Sequence, residues 1–451
     1  MKVISTASDT VLNILKNFKR SGECNRLVKF CVEAPVEEGV LLFHVLTREL
    51  ILLTKEEYNR FTQLEYLKQN WFLLPEDFNE KECADFVKFF LTTRVKKTGD
   101  IVTYTVFPTT DCNARCFYCF ELGRSRIPMT REVALKTVQY MKEHCGGNPV
   151  RIRWFGGEPL MNSEAIDIIC NGLRSEGIEV RSGMVSNGYL FNDAIIEKAV
   201  TRWNLKRVQI TLDGTEQIYN KIKAFVYKEG NPYQTVLNNI EKLLNASISV
   251  VIRMNMDLHN AEDLLVLAKE LSRRFAGKQG LEVYAHHLFK DGVPMAQMHT
   301  EEEWISRDEA MRKIEETLIE SGLASKQGIS KKLKTNHCMA DSGSAVTILP
   351  DGSIGLCEHH SEGEFIGHID RESFDQETVA SWKEKVAEIP ECADCFYFPE
   401  CIKLKKCSNA SVCYPQYRTN TLRKTQQRIL NEYEKWLKGA TQEDSDDLIE
   451  D

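Results

Sequence analysis

Short apolar segments alternate with amphipathic ones through the middle of the chain, from residue 101 to residue 287. The apolar segments are typical of strands, and helical patterns such as 130–144 and 261–275 follow them. Six strand-then-helix units predict an α/β fold with a parallel sheet, either open or curled into a partial (β/α)6 barrel. The predicted strands are IVTYTVF, VRIRWF, EVRSGMV, RVQITL, ISVVIRMN and LEVYAHH. Ligands of such folds bind at the carboxyl ends of the strands, so we expect the functional site there.

The two ends of the chain show other patterns. Three strand-like segments between residues 28 and 54 precede two helical ones, which predicts a small separate α+β domain. After residue 325 the periodicity fades and cysteines dominate, and a last helical pattern leads into an acidic end that we expect to be a disordered tail. We therefore predict four parts, 1–97, 98–325, 326–425 and 426–451.

Composition places the chain among ordinary globular proteins, at 42% hydrophobic and 27% charged residues. No apolar run approaches the ~20 residues of a membrane span. The first residues lack the basic, apolar and small-residue order of a signal peptide, so we expect a cytoplasmic protein. The net charge of −8 argues against a nucleic-acid-binding surface over the whole chain and leaves room for a local basic patch.

Cysteine is the residue type that changes this picture, because the chain has 15. In a reducing compartment that number favours metal binding or redox chemistry over structural disulfides. Five scattered cysteines fit small buried hydrophobic residues better: Cys24, Cys31, Cys83, Cys145 and Cys170. The other ten form two groups, one after the first predicted barrel strand and one after residue 337.

The first group is Cys112, Cys116 and Cys119, all within "DCNARCFYCF". Thiolates bind soft metals and iron–sulfur clusters. A structural zinc site is usually closed by four ligands, and the nearby sequence offers no fourth. A [4Fe–4S] cluster on three cysteines keeps one iron open for a substrate or cofactor, which makes it a reagent as well as an electron carrier.

This triplet, with Tyr118 before the third cysteine, resembles the signature of radical S-adenosylmethionine (SAM) enzymes. The resemblance implies that SAM binds the open iron and that one electron cleaves it to methionine and a 5′-deoxyadenosyl radical. That radical abstracts hydrogen from an unactivated carbon, while the protein supplies placement. It also implies an electron donor such as flavodoxin or ferredoxin.

Three later predicted strand ends carry companion motifs of that family. "WFGGEP" resembles its GGEP motif, "VSNGYL" its TNG element and "QITLDG" its QxSLDG element. The family's later arginine aligns with Lys223, which keeps the charge but loses the bidentate fork, and Arg253 is the alternative contact for the SAM carboxylate. Singly, the last two motifs are turn signals, but all in order argue against coincidence. The implied SAM-binding residues are Tyr118, Gly156, Gly157, Glu158, Ser186, Asn187, Thr211, Asp213, Lys223 and Arg253.

Seven cysteines form the second group, and their C-x2-C pair alone would suit a zinc ribbon. Behind a radical SAM core the run resembles a SPASM domain, which implies two auxiliary [4Fe–4S] clusters, three in all, and a peptide or protein substrate. By order of ligands, one cluster takes Cys392, Cys395, Cys401 and Cys413, and the other takes Cys338, Cys357 and Cys407. Two of the spacings depart from the common pattern, so the pairing is less firmly implied than the clusters.

The second incomplete cluster suggests a use. We expect its free iron to bind a substrate cysteine thiolate, so that a nearby carbon radical forms a thioether bond. Glu358 follows Cys357 and sits where some family members carry an acidic proton acceptor; a solvated surface carboxylate is the alternative.

The segment before residue 97 resembles the winged-helix-like recognition element of peptide maturases, in which a precursor's leader adds a strand to a sheet edge. A structural cap or a dimerisation domain is the alternative. The sequence thus predicts a SAM-dependent maturase that forms thioethers of the sactipeptide or ranthipeptide type in a ribosomally made precursor, with no nucleic-acid or membrane partner. Other radical peptide modifications (a C–C cross-link, epimerisation, formylglycine formation) and a non-catalytic iron–sulfur or zinc scaffold remain the alternatives.

Overall fold

The structure, a computed structural model, describes residues 1–95, 99–227, 230–275, 277–288, 299–334, 338–359, 364–371, 373–401, 404–407, 413 and 415–446. The predicted boundary at residues 97 and 98 lies outside these ranges.

An antiparallel sheet with strand order β1-β5-β4-β3 forms the first part of the chain. The three strand-like segments of the sequence are β3, β4 and β5. Thr54 and Glu57 form a capping box that starts the helix directly after β5. The elements are β1 (Lys2–Ser5), α1 (Asp9–Leu15), β2 (Arg26–Leu27), β3 (Cys31–Val36), β4 (Gly39–His44), β5 (Leu50–Thr54), α2 (Lys55–Asn59), α3 (Glu65–Gln69), β6 (Leu73–Leu74) and α4 (Glu80–Val95).

The middle of the chain forms the predicted parallel sheet, and the six predicted strands are its six members in sequential order. Thr130, Asn192 and Asn231 cap three of the outer helices at their first turns. The elements are β7 (Thr103–Thr109), α5 (Arg131–His144), β8 (Val150–Gly156), α6 (Ser163–Ser175), β9 (Val180–Ser186), α7 (Asp193–Thr201), β10 (Leu205–Thr211), α8 (Glu216–Lys223), α9 (Pro232–Asn245), β11 (Ser249–Met256), α10 (Ala261–Phe275), β12 (Leu281–His287) and α11 (Glu301–Glu320). All neighbouring pairs from β7 to β12 are parallel, so their carboxyl ends meet at one edge.

The cysteine-rich part adds three short strands to the same sheet, which the sequence did not predict. β13 pairs in parallel with β7, and β14 and β15 follow it in antiparallel order. The predicted boundary at residue 325 therefore separates two parts that share one sheet. The elements are α12 (Met339–Ser342), β13 (Ala345–Ile348), β14 (Ser353–Gly355), β15 (Gly367–His368), α13 (Gln376–Lys383) and α14 (Pro415–Asp446).

The first part does not keep its hydrophobic core to itself. Its buried cluster, which includes Phe30 and Val87, is completed by Phe398, Ile429 and Tyr433 from the end of the chain. The domain predicted as separate is thus packed on the cysteine-rich part, where burying apolar surface stabilises both.

The last helix, α14, extends to Asp446, past the start of the acidic segment at residue 441 that was expected to be disordered. The residues after 446 lie outside the described ranges. No helix in the described part of the chain is long and apolar enough to cross a membrane.

Candidate active site

The first cysteine triplet lies on the loop that follows β7, at the carboxyl edge of the sheet. Cys112, Cys116 and Cys119 line a cleft of about 190 Å³ together with groups from the next strand ends. The Cys119 N–H donates to the Cys116 carbonyl at 3.2 Å, which closes a turn between these two ligands. The loop presents three thiol groups to one cavity, which is the arrangement that a shared cluster would require.

Gly156 and Gly157 lie at the end of β8, against the backbone of the cysteine loop. Gly156 has φ +105°, and a Cβ on it would collide with the Thr109 carbonyl oxygen; a Cβ on Gly157 would collide with that of Asp111. Both glycines line the cleft. The close approach they permit is therefore to the cysteine loop itself, which fixes the loop against the sheet.

Glu158 is fully buried and does not line the cleft. Its carboxylate accepts hydrogen bonds from the Ser186 hydroxyl at 2.9 Å and from the Asn187 N–H at 2.8 Å. Burial raises the pKa of Glu158 to about 7, although these hydrogen bonds act in the opposite direction. The side chain ties the end of β8 to the end of β9, and Ser186 and Asn187 line the cleft in its place.

Asn187 also reaches the cysteine loop from β9. Its Nδ2 donates to the Asn113 Oδ1 at 2.6 Å and lies 3.8 Å from the Cys112 sulfur. Nδ2 of Asn113 is buried and has no hydrogen-bond partner among the described residues. A buried amide donor beside the first cysteine is an unmet hydrogen-bonding group that a bound cofactor would satisfy.

Tyr118, on the cysteine loop, forms a polar triad with the buried Asp213 and Lys223. The Tyr118 hydroxyl donates to the Asp213 carboxylate at 2.6 Å, and the Lys223 ammonium lies 3.0 Å from the same carboxylate and 2.9 Å from the hydroxyl. Burial acts to lower the pKa of Lys223, but Asp213 and then Cys116 hold it well above its ordinary value. Lys223 also lines the cleft. Its charge is already paired, which favours Arg253 as the contact for the SAM carboxylate.

Arg253 and Thr211 line the far side of the cleft, on β11 and at the end of β10. The Arg253 Nε donates to the Asn255 Oδ1 at 2.9 Å, and its Nη2 lies 3.3 Å from the His286 Nδ1. A guanidinium held by neutral partners keeps its charge available for a carboxylate ligand.

The second triplet is assembled from three separate segments. Cys338 begins α12, Cys357 follows β14, and Cys407 lies in the loop before α14. Burial raises the pKa of Cys357 to about 12, and the charges of the nearby Glu358 and then of Cys338 and Cys407 act in the same direction.

The residues after Cys357 connect the second triplet with the first. His359 lines the same cleft as Cys119, and its ring centroid lies 4.8 Å from that of Phe120. The His359 N–H donates to the Cys357 sulfur at 3.3 Å. Glu358 instead lies 3.4 Å from Arg153 in an ion pair and does not line the cleft, which fits a partly solvated carboxylate better than a proton acceptor.

The remaining four cysteines surround a cavity of their own. Cys392, Cys395, Cys401 and Cys413 line about 220 Å³ of space, together with Asp85 and Lys88 from α4. The Lys88 ammonium donates to the Phe398 carbonyl at 3.0 Å. The first part of the chain therefore closes one side of this cavity.

The first triplet and the four distal cysteines fit iron–sulfur clusters by their donor chemistry, because each group lines an open cavity with several soft thiol ligands. Among the described residues no three His, Cys, Asp or Glu side chains converge closely enough to hold a single metal ion.

Four residues that contribute to the site were not predicted from the sequence: Asn113, Gln209, Asn255 and His359. All but Asn113 line the cleft; Gln209 begins the QITLDG element, and Asn113 lies inside the cysteine motif. The position of Asn113 between two cluster cysteines was an available signal, and so was the position of His359 two residues after Cys357.

Comparisons with known proteins agree with this geometry. Residues 106–271 match the Radical SAM superfamily. A GTP 3′,8-cyclase of Rhodopirellula baltica is 33% identical over 115 residues, which is 24% of this chain and 30% of that protein. The match thus spans about a third of the relative's length.

Two solved structures share the fold. One is native anSMEcpe with bound AdoMet and Cp18Cys peptide, with a TM-score of 0.54, 14% identity, and coverage of 76% of this chain and 99% of that chain. The other is Streptococcus suis SuiB bound to S-adenosylmethionine, with a TM-score of 0.51, 10% identity, and coverage of 84% of this chain and 95% of that chain. At these identities the likeness shows the fold alone. The loop of three cysteines, the strand-end motifs and the family match together show that this chain carries a radical SAM domain, with SAM and a [4Fe–4S] cluster as the implied cofactors.

Proposed function

We propose that this chain is a cytoplasmic maturase that uses a SAM-derived radical to join a cysteine sulfur to a carbon within a ribosomally made precursor peptide. One observation carries the proposal: the first cysteine triplet lines a cleft that the segment directly after Cys357 also borders. Cys112, Cys116 and Cys119 line it directly, and His359 brings the segment of Cys357 to the same cavity. A radical source and a site for a substrate sulfur would then face one reaction space.

The bound cofactors would supply a 5′-deoxyadenosyl radical after one-electron reduction by a donor such as flavodoxin or ferredoxin. The chain's own part is placement. Three thiolates would hold the cluster, Asn187 and Arg253 line the same cleft, and Phe120 and Phe155 exclude water from one wall. Glu158 and the triad of Tyr118, Asp213 and Lys223 keep these groups in position.

The two distal cysteine groups would hold auxiliary clusters with different roles. The four-cysteine cavity offers a full ligand set, which suits electron transfer. Cys338, Cys357 and Cys407 leave one iron open, and we propose that the substrate thiolate takes it. The anSMEcpe structure of similar fold holds a Cp18Cys peptide, which supports a peptide as the substrate class.

The first part of the chain would recognise the leader of the precursor. The edges of its sheet are β1 and β3. On β3, the Glu33 carbonyl already accepts a hydrogen bond from Gln426 of α14 at 2.9 Å, and Pro35 removes one donor. We therefore propose β1 as the edge to which a leader adds by β-augmentation.

The relatives named as GTP 3′,8-cyclases match only part of the radical SAM core. The radical SAM core would make the radical whether the substrate is a nucleotide or a peptide. The match to the cyclases therefore does not identify the substrate of this chain. A C–C cross-link, epimerisation or formylglycine formation would use the same cleft and would leave the substrate cysteine free or convert it without a cross-link.

The test is in two stages. Anaerobically reconstituted, reduced protein should cleave SAM to 5′-deoxyadenosine and contain about 12 iron atoms per chain; about four would remove both auxiliary clusters. Co-expression with a short cysteine-rich peptide encoded nearby should then lower the peptide mass by two hydrogens per bond and block alkylation of the cysteine. Absence of SAM cleavage would favour a non-catalytic scaffold, and an unchanged mass would favour epimerisation.

A further inference from the structure

A second, larger cavity of about 520 Å³ lies away from the cleft, where four segments of the chain meet. Its walls come from β4 and the turn after it, the segment 329–334, the residues before Cys401, and α14. None of the sequence motifs falls in it. It lies between the first part of the chain and the cysteine-rich part.

The cavity is strongly positive in an otherwise acidic chain. Its lining carries five cations against one carboxylate: Arg48, Lys332, Lys334, Lys424 and Arg428, with Glu400. The chain as a whole has a net charge of −8. A concave surface of one sign raises the local concentration of ligands of the other sign, so the lining favours an anionic ligand.

Arg48 is the cation of this cavity that is buried and held in a fixed position by its contacts. It is only 5% exposed and has φ +69°, a backbone conformation that persists only when its surroundings enforce it. Its Nε donates to the Ser330 carbonyl at 2.8 Å, and its Nη1 lies 3.1 Å from the Glu400 carboxylate. Nη2 has no hydrogen-bond partner among the described residues. Glu400 pairs the charge of Arg48, so the buried guanidinium keeps only its Nη2 donor for a ligand in the cavity.

The other cations are held less firmly. Lys424 pairs with Glu315 at 3.0 Å, outside the cavity lining. Lys332, Lys334 and Arg428 have no ion pair in the part of the chain that the structure describes. These three exposed cations repel one another until an anion joins them.

The walls also carry apolar and aromatic side chains, among them Phe43, Ile329 and Leu333. A ligand that matched both the cations and the apolar walls would alternate negatively charged groups with apolar ones. We propose that this cavity binds an acidic segment of a peptide, with its carboxylates on Arg48 and the rim cations and its apolar side chains on the walls. This inference rests on the proposed function and deepens it, because it places an acidic segment of the substrate peptide here.

Fluorescence anisotropy of the full chain tests the inference, with a fluorescein-labelled peptide that alternates glutamate with leucine. The matched probe has glutamine for glutamate. The variant is Lys332→Glu with Lys334→Glu, and Arg428→Gln is a milder second variant. The control is Lys206→Glu with Lys269→Glu, two exposed lysines that lie outside the cavity and change the net charge equally. Circular dichroism and thermal melting confirm that each variant is folded.

We expect the glutamate peptide to bind at least about tenfold more tightly than the glutamine peptide, and the double variant to lose about tenfold in affinity. Arg428→Gln should lose about threefold, and the control less than about twofold. Equal binding of the two probes, or equal losses in variant and control, would overturn the inference. So would equally tight binding of an oligonucleotide of the same charge, which would assign the cavity to polyanions in general.

These outcomes stay separate from those of the proposed function, because binding is measured without SAM or reductant. A chain that modifies its peptide but shows no charge dependence here removes only this inference. A chain that binds the acidic probe and modifies no peptide removes only the proposed function.

Discussion

The first cysteine triplet lines the cleft, whereas the second reaches it only through His359, two residues after Cys357, and the two sets are held in place by different means. Cys112, Cys116 and Cys119 lie within eight residues on one loop, which hydrogen bonds from neighbouring strand ends fix against the sheet. Cys338, Cys357 and Cys407 come from three separate segments, and the sulfurs of Cys338 and Cys357 accept hydrogen bonds from N–H groups two residues further on, as the sulfur of Cys112 also does. The sheet edge positions the loop that carries the first set, whereas the second set depends on the packing of three separate segments.

Because of this difference, we expect cluster binding to depend on the fold in a different way at each set. A loop fixed by a parallel sheet is ready before a cofactor arrives. A set gathered from three segments gains order when its ligand binds, so metal binding and local folding are coupled there. We expect variants in the first set to remove chemistry, and variants in the second set to remove the product while radical formation continues.

The largest effect should come from Cys116→Ala. It removes one of the three thiolates that hold the SAM cluster, so 5′-deoxyadenosine formation should be lost and iron content should fall by about four atoms per chain. Liquid chromatography and an iron assay measure both. Cys24→Ala, at a cysteine outside both groups, should leave both values unchanged; loss of activity there too would mean that cysteine substitution damages the protein generally.

Cys357→Ala should separate the two sets. Because this residue lies in the second triplet, SAM cleavage should stay within about threefold of the parent chain, while the cross-linked peptide disappears from the mass spectrum. If product still forms at the parental rate, the second triplet has no part in holding the substrate.

Lys223→Met tests how firmly the first loop is held. The variant leaves the buried Asp213 carboxylate without its ammonium partner, which costs roughly 3–5 kcal/mol in free energy of unfolding. Urea titration of the cluster-free protein measures it. Lys221→Met, at an exposed position on the same helix, is the matched control. Adding Asp213→Asn to Lys223→Met should recover part of the loss; no recovery would show that the lysine acts other than through this pair.

Glu158→Gln should give a smaller effect that depends on pH. Its pKa is raised by burial from 4.5 to about 7 in the folded chain, so folding takes up a proton between these values. The free energy of unfolding should therefore fall as pH rises from 4.5 to 7, by up to roughly 3 kcal/mol from this group. The variant should show a shallower fall than the parent chain, and Glu164→Gln, at an exposed position, should follow the parent. Parallel curves for Glu158→Gln and the parent would mean that the buried carboxyl group is not protonated in the folded state.

Periodicity predicted the parallel sheet well, because strand-like segments of seven or eight residues alternate with helical patterns. It missed β13, β14 and β15, which have four, three and two residues and sit among cysteines and turns. Strands that short have no period to detect, and only pairing with β7 makes β13 a strand.

Motif order predicted which strand ends meet, but it did not predict what each side chain contacts. Lys223 was a candidate for SAM, yet its partners are Asp213 and Tyr118, which come from other elements. Glu158 was expected to hold the cofactor, and its buried side chain lies outside the cleft lining, on Ser186 and Asn187. Such contacts depend on how elements pack, which local sequence does not encode.

The central claim is that the second triplet holds a cluster with an iron site open to a substrate thiolate. Mössbauer and EPR spectra of a chain with Cys112, Cys116 and Cys119 all changed to alanine isolate the auxiliary clusters. Adding a short synthetic peptide with one cysteine should change the spectrum of one cluster, and the serine counterpart should not. Identical spectra with the cysteine peptide, the serine peptide and no peptide would contradict the account.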